Sequence, residues 1–98
     1  MRVFVSQPMT GRTGYEIREE RNACLEYAES LYGPCEEVRS YFGETGRSQM
    51  KPLEGLGKSI ELMAHADVVI FAPDWGRARG CRIEHACAVA YGLDVIEM

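Results

Sequence analysis

Apolar residues along the chain form strand-like and helix-like patterns in alternation. Residues 2–6 (Arg-Val-Phe-Val-Ser) predict a first short strand, and residues 36–42 alternate loosely and predict a second. The continuous apolar run over 67–72 is typical of a strand buried on both faces, and residues 93–96 predict a fourth strand. Between the strands, apolar residues recur every three or four positions. This spacing predicts helices over about 15–32, 53–63 and about 79–91.

The helical periodicity also predicts which side chains face the core, whereas glutamates such as Glu20 are expected mainly elsewhere. Gly33 and Pro34 predict the end of the first helix, and Gly92 that of the third. Residues 43–51 are polar, contain two glycines and predict a loop. The residues expected to face inward are Ile17, Cys24, Ala28 and Leu31, then Leu53, Leu56, Ile60 and Met63, and finally Ile83, Cys87 and Ala90.

The order β-α-β-α-β-α-β predicts an α/β fold with a parallel sheet and right-handed crossovers. Four strands in the order 2-1-3-4 would form a short flavodoxin-like or Rossmann-like three-layer sandwich. With 98 residues, the chain has room for one domain spanning residues 1–98. Its core is small, so association with further copies would add stability.

The net charge of −4 and the pI of about 5.1 argue against a binder of nucleic-acid polymers, which usually carries a basic face. No apolar run approaches the ~20 residues that span a membrane, and the N-terminal residues do not resemble a signal peptide. We therefore expect a cytoplasmic protein without a membrane partner.

Four cysteines could form two disulfides, bind a metal or remain free thiols. Cys81 and His85 are four residues apart and could share a helix face, with Cys87 and His65 as further zinc ligands. This spacing is not that of a standard zinc module, and nothing indicates secretion. We expect free, mostly buried thiols and no metal.

The topology predicts where a ligand would bind. In open parallel sheets the site lies beyond the carboxyl ends of the strands, at the point where the strand order reverses. Here that point lies between strands 1 and 3, so the loops at residues 6–14 and 73–80 would meet there. The candidate binding residues in and beside these loops are Ser6, Gln7, Met9, Thr10, Gly11, Arg12, Trp75, Arg79 and Gly80.

Two carboxylates are candidates for chemistry at this point. Glu84 falls early in the third helix, and Asp74 follows the third strand. Two carboxylates in one crevice could act as nucleophile and acid in glycosyl transfer. Alternatively, Glu84 is stabilised by the helix dipole and Asp74 is a turn residue. Arg77, Arg79 and Arg82 could bind an anion or form surface ion pairs, and Trp75 could stack on a base or cover the core edge.

Three segments carry a resemblance to a known superfamily. Residues 3–11 (Val-Phe-Val-Ser-Gln-Pro-Met-Thr-Gly) resemble the first strand and loop of the nucleoside 2-deoxyribosyltransferase-like superfamily. Residues 59–74 and 79–92 are similar to its second half, and the stretch Ala-Arg-Gly-Cys-Arg-Ile-Glu-His is typical of its DUF4406 family. The resemblance covers nearly the whole chain and is weakest across residues 36–52.

The resemblance implies a flavodoxin-like fold in which Glu84 attacks the anomeric carbon of an N-glycoside, with Asp74 near the leaving base. The loop after strand 1 would hold sugar or 5′-phosphate. Two positions depart from the superfamily pattern. Phe4 replaces a tyrosine that hydrogen-bonds the nucleophile, and Ser59, a further candidate binding residue, replaces an aspartate. Each of these changes weakens the expectation of activity.

We therefore expect an N-glycosidase or deoxyribosyltransferase-like enzyme that acts on a nucleoside or nucleoside 5′-monophosphate without a cofactor. The alternative is a non-catalytic nucleotide-binding module of the same fold. The resemblance also implies a homo-oligomer, a dimer or larger.

Overall fold

The computed structural model describes residues 1–40 and 50–98. Its sheet has four strands, and all neighbouring pairs are parallel. Their order is β2-β1-β3-β4, as predicted, so the strand order reverses between β1 and β3. The strands are β1 (Arg2–Ser6), β2 (Glu36–Glu37), β3 (Val68–Phe71) and β4 (Asp94–Glu97).

Three α-helices connect the strands in the described part of the chain: α1 (Gly14–Tyr32), α2 (Pro52–Met63) and α3 (Arg79–Ala90). A short 3-10 helix, Trp75–Arg77, precedes α3. Gly33 ends α1 with φ of +80°, a conformation that glycine adopts without steric cost, and its N–H donates to the Glu29 carbonyl. This confirms the predicted end of the first helix.

Residues on alternating faces of the sheet pack against different helices. Val3 and Val5 of β1 lie on one face with Cys24 and Ala28 of α1. Phe4 lies on the other face, in a cluster that includes Met63 of α2 and Ala88 of α3. Because side chains alternate along a strand, Ser6 points toward the α2 and α3 layer, and Gln7 toward α1.

The strand register aligns the carboxyl ends of three strands. Ser6 of β1 pairs with Phe71 of β3, and Phe71 pairs in turn with Glu97 of β4. The opposite edge of the sheet is closed by Asp67, whose Oδ2 accepts a hydrogen bond of 2.7 Å from the Arg2 N–H. Asp67 therefore has a structural role. The candidate site residues Ser6 and Asp74 lie at or after the carboxyl ends of the strands.

The second strand is shorter than predicted. The sequence pattern indicates residues 36–42, but only Glu36 and Glu37 are in β2. Val38 and Ser40 lie beyond the strand and are still buried. Residues 41 and 42, and most of the predicted loop over 43–51, lie outside the described residues.

Several residues predicted to be buried are exposed. Leu31 is exposed because the 19-residue α1 is about 28 Å long, whereas five-residue β1 spans about 17 Å. Leu53 is exposed in the first turn of α2, far along the helix from buried Met63. Ile83 is exposed as well.

The predicted inward face of α3 is wrong for Ile83 and Ala90, which are exposed, whereas Cys87 is half-buried and packs against the core as predicted. Cys81, Glu84 and Ala88 are the buried residues of this helix, spaced three and four apart, whereas Ala90 is exposed. Glu84 lies in the middle of this buried face. Because the prediction followed apolar residues alone, it selected the neighbouring face of the helix. The burial of Glu84 is a first indication of a functional role.

Cys24, Cys35, Cys81 and Cys87 are free thiols. No group of three or more metal-ligating side chains occurs within residues 1–40 and 50–98. Of the helices that the structure describes, none combines the length and the apolar character needed to cross a membrane.

Candidate functional site

The centre of the candidate site is a hydrogen-bonded pair formed by Ser6 and Glu84. Ser6 Oγ donates to Glu84 Oε1 across 2.7 Å. Glu84 is only 7% exposed although it carries a carboxylate, and Ser6 is buried with it. Burying a carboxylate is costly unless hydrogen bonds compensate, and a short bond from a hydroxyl is such a compensation. The pair lies where β1 ends, at the reversal of strand order that the topology marks as a ligand site.

A second polar group joins the loop after β1 to α1. Gln7 Nε2 donates to the Ile17 carbonyl and to Glu20 Oε1, at 3.1 Å each. The same Glu20 oxygen accepts from Arg12 NH1 at 2.5 Å. Glu20 thus binds two of the candidate substrate-binding residues, Gln7 and Arg12. Gln7 is buried, and its Oε1 has no hydrogen-bond partner among the described residues.

The loop between β1 and α1 is tightly folded. The Arg12 N–H donates to the Met9 carbonyl, which closes a turn with Thr10 and Gly11 at its tip. Gly11 has φ of +78°, the conformation that a type II turn requires at its third position. Thr10 and Gly11 are exposed, whereas Met9 is half-buried.

Cys81 connects the two polar groups. Burial raises the pKa of its thiol, the charges of Glu84 and Glu20 raise it further, and a hydrogen bond with Ser6 and the charge of Arg12 oppose them. Cys81 therefore lies within electrostatic reach of both carboxylates. Because its thiolate form is disfavoured, Cys81 is a poor nucleophile.

The loop after β3 places Asp74 and Trp75 differently. Asp74 is exposed and has φ of +67°, in the left-handed region that residues other than glycine rarely adopt. Trp75 packs on Phe71 and stacks on His85, with ring centroids 5.3 Å and 4.2 Å apart. Trp75 therefore covers the core edge. Asp74 is not buried together with Glu84.

The remaining candidate residues differ in exposure and in their contacts. Arg79 is exposed and Gly80 is half-buried in the first turn of α3, whose preceding residue, Ala78, provides no side-chain cap. Arg82 donates to the Gly76 carbonyl at 3.0 Å. Ser59 lies in the middle of α2 and is half-buried.

The contacts of two carboxylates, Glu20 and Glu97, were not predicted from the sequence. Glu20 was expected away from the core, but it follows buried Ile17 by three residues and precedes buried Cys24 by four. Helical periodicity could therefore have placed it beside the buried face. The contact between His85 Nε2 and Glu97 Oε1, at 2.8 Å, had no signal in the sequence because it joins α3 to the last strand.

Comparisons of this chain with protein-family models, with curated proteins and with solved structures found no match.

Proposed function

We propose that the chain is an N-glycosidase or 2-deoxyribosyltransferase-like enzyme of the DUF4406 family, acting on a nucleoside or nucleoside 5′-monophosphate. The observation that carries this proposal is the buried pair of Ser6 and Glu84, which lies where the strand order reverses between β1 and β3. The superfamily resemblance assigns the nucleophile to the same glutamate. A buried, hydrogen-bonded carboxylate beside polar loops can supply the nucleophile of a retaining glycosyl transfer, which also needs an acid for the leaving base.

In the proposed reaction, a Glu84 oxygen forms a bond to the anomeric carbon while the bond from that carbon to the base nitrogen breaks. The departing base takes the bonding electron pair and receives a proton from an acid, the role assigned to Asp74. Water or the nitrogen of a second base then attacks the anomeric carbon and gives its proton to the carboxylate that protonated the first base. The bond between the anomeric carbon and Glu84 breaks, and the Glu84 carboxylate is restored. The sugar leaves with its configuration retained, because two displacements have occurred.

Ser6 supports this role in place of the tyrosine hydroxyl that the superfamily pattern has at Phe4. Phe4 is buried in the core, so it offers no polar contact. Ser6 lies two residues further along the same face of β1 and reaches Glu84 with its hydroxyl. The orienting hydrogen bond is thus supplied from the next inward-facing position.

The test measures by chromatography the free base that is released from a panel of nucleosides and nucleoside 5′-monophosphates. We expect release by the native protein and loss of at least about a hundredfold in Glu84→Gln, which keeps the shape of the side chain and removes its charge. Glu61→Gln, on the exposed side of α2, is the matched control and keeps full activity. Release that is unchanged in Glu84→Gln would disprove the assignment.

A non-catalytic nucleotide-binding module is the second candidate. The exposure of Asp74 favours it, because the acid expected near the leaving base faces solvent whereas Glu84 is buried. This candidate predicts thermal stabilisation by a ligand without turnover. At a ligand concentration of about 100 times the Kd, stabilisation is about 2.7 kcal/mol.

The outer face of α3 supports a homo-oligomer, which we propose as the active form. From residue 83 onward the solvent-facing positions of this helix carry no charge, and exposed apolar stripes of this kind usually mark interfaces. We expect a dimer or larger assembly in sedimentation, lost in Ala86→Arg and kept in Ala64→Arg. A monomer of 11.0 kDa at micromolar concentration would contradict this proposal. The face comprises Ile83, Ala86, Val89, Ala90 and Tyr91.

We propose the cytoplasm as the location. The four thiols are free, and unpaired cysteines are typical of a reducing compartment.

A further inference from the structure

The loop after β1 and the start of α1 form the usual place for a phosphate in folds of this kind. Phosphates bind there because the first N–H groups of the helix are unpaired and the helix dipole favours a negative charge. The sequence adds a basic residue, Arg12, which would strengthen such a site. Three contacts in the structure bear on whether this place is available.

The helix N-terminus is already occupied by the chain itself. Thr13 Oγ1 accepts a hydrogen bond from the Glu16 N–H at 3.1 Å, and Glu16 Oε1 accepts one from the Thr13 N–H at 3.1 Å. These reciprocal bonds form a capping box. The Thr13 hydrogen bonds also lower the pKa of the Glu16 carboxyl. Glu16 is thus an anion that already sits at the positive end of α1.

The basic residue of this loop is neutralised as well. Arg12 NH1 contacts Glu20 Oε1 at 2.5 Å, and both side chains are largely shielded from solvent, with exposures of 26% and 20%. The same Glu20 oxygen also accepts from Gln7, which holds the carboxylate in position. To bind a phosphate, Arg12 would have to exchange this partner for another.

The surface beside this loop is acidic. A shallow depression there is lined by Arg12, Tyr15, Glu16, Glu19 and Glu20, three carboxylates against one guanidinium. A dianionic phosphate would meet a net negative charge in this depression, whereas a neutral sugar hydroxyl can donate to a carboxylate at no electrostatic cost.

We propose that the site takes an unphosphorylated nucleoside in preference to the corresponding 5′-monophosphate. This inference rests on the proposed function and chooses between the two substrate classes it leaves open. The exposed arginines of the other loop, Arg77 and Arg79, are the only basic residues in the two site loops without a described ion pair, so they provide the competing place for a phosphate.

The test compares the four 2′-deoxynucleosides with their 5′-monophosphates. Base release and thermal stabilisation are both measured, so that a protein that binds without turnover still gives an answer. We expect the rate of base release, the affinity or both to be at least about tenfold higher for the nucleoside. Repulsion at close range between the two phosphate charges and the carboxylates changes the affinity by about that factor. Raising the salt concentration should narrow the preference, because screening weakens the repulsion.

Charge-removing variants test the cause of this preference. Glu20→Gln releases Arg12, and Glu19→Gln removes one exposed carboxylate of the depression. In each variant the preference for the nucleoside over its monophosphate should fall at least about threefold, because the depression carries one negative charge fewer. Glu29→Gln, an exposed position near the other end of the same helix, is the matched control and should leave the preference unchanged. If Glu20→Gln fails to fold, Glu19→Gln still decides the point.

Each result has a distinct meaning. Equal or tighter binding of the monophosphates would overturn the inference and leave the proposed function standing, especially if Arg79→Gln abolished that binding. Base release that persists in Glu84→Gln would overturn the proposed nucleophile but not the ligand preference. Neither release nor stabilisation with any member of the panel would overturn both.

Discussion

Ser6, at the end of β1, donates a hydrogen bond of 2.7 Å to Glu84, although 78 residues separate them along the chain. Both residues are buried, so this bond satisfies a carboxylate that has little access to water. It also joins the sheet to α3 at the point where the strand order reverses. We therefore propose that Ser6 positions the proposed nucleophile.

Replacing Ser6 tests this relationship directly. We expect Ser6→Ala to lower the free energy of unfolding by about 1.5–3 kcal/mol, because a buried hydrogen bond to a charged group is lost. Turnover should fall by about a hundredfold through loss of orientation.

The conservative variant separates orientation from packing. Ser6→Thr keeps a hydroxyl and should restore most of the turnover and most of the stability. A Ser6→Ala protein with unchanged stability and unchanged turnover would show that the hydrogen bond has no role in solution.

The capping box at the start of α1 makes a second prediction. Thr13→Ala removes the oxygen that accepts from the Glu16 N–H, and such caps typically contribute about 1 kcal/mol. Thr10→Ala, three residues earlier in the exposed turn, is the matched control and should change stability by less than about 0.5 kcal/mol. Urea denaturation measures both, and equal effects of the two variants would argue against the cap.

Glu16 gives this cap a pH dependence. The hydrogen bonds from Thr13 hold the pKa of Glu16 below its ordinary value, so the unfolded chain takes up its proton at a higher pH than the folded one. The contribution of Glu16 is therefore present above the ordinary carboxyl pKa and is lost as the pH falls. Native protein should exceed Glu16→Gln in stability at pH 7, and the difference should shrink toward pH 3.

The cysteines should differ in reactivity. Burial raises the pKa of Cys24 to about 11, and Cys81 is shifted in the same direction, mainly by burial, whereas Cys35 and Cys87 are half-buried. Iodoacetamide at pH 8 should label Cys35 and Cys87 first, because thiolate and access are both required. Mass spectrometry of a time course gives the order, and native Cys24 reacting as fast as Cys35 would contradict it.

Cys24 should also weaken the fold at alkaline pH. An unfolded thiol loses its proton near pH 9, but the folded one keeps it until about 11. Stability is therefore unaffected below pH 9 and falls as the pH rises through this window. Cys24→Ser, whose side chain does not ionise there, should show a flatter decline between pH 9 and 11 in urea denaturation, and an equally steep decline would exclude Cys24 as the cause.

The topology was predictable because it depends on local patterns. The apolar run over 67–72 and the turn residues around Gly33 each reflect a short-range preference, and a parallel βα succession leaves few arrangements of four strands. Predictions of burial were less successful. Leu31 and Ile83 are exposed, since burial depends on the length and rotation of each helix relative to the sheet.

The sequence by itself determined the fold class, the strand order and the neighbourhood of the site, because periodicity and chain connectivity specify them. It also identified Glu84 as the residue of interest. Only the tertiary structure decided that Ser6 holds Glu84 and that Glu20 neutralises Arg12. Such contacts depend on the register between strands and the rotation of helices, which bring distant residues within 3 Å. The structure alone shows that Arg12, the basic residue of the loop where a phosphate would be expected, is already paired with Glu20.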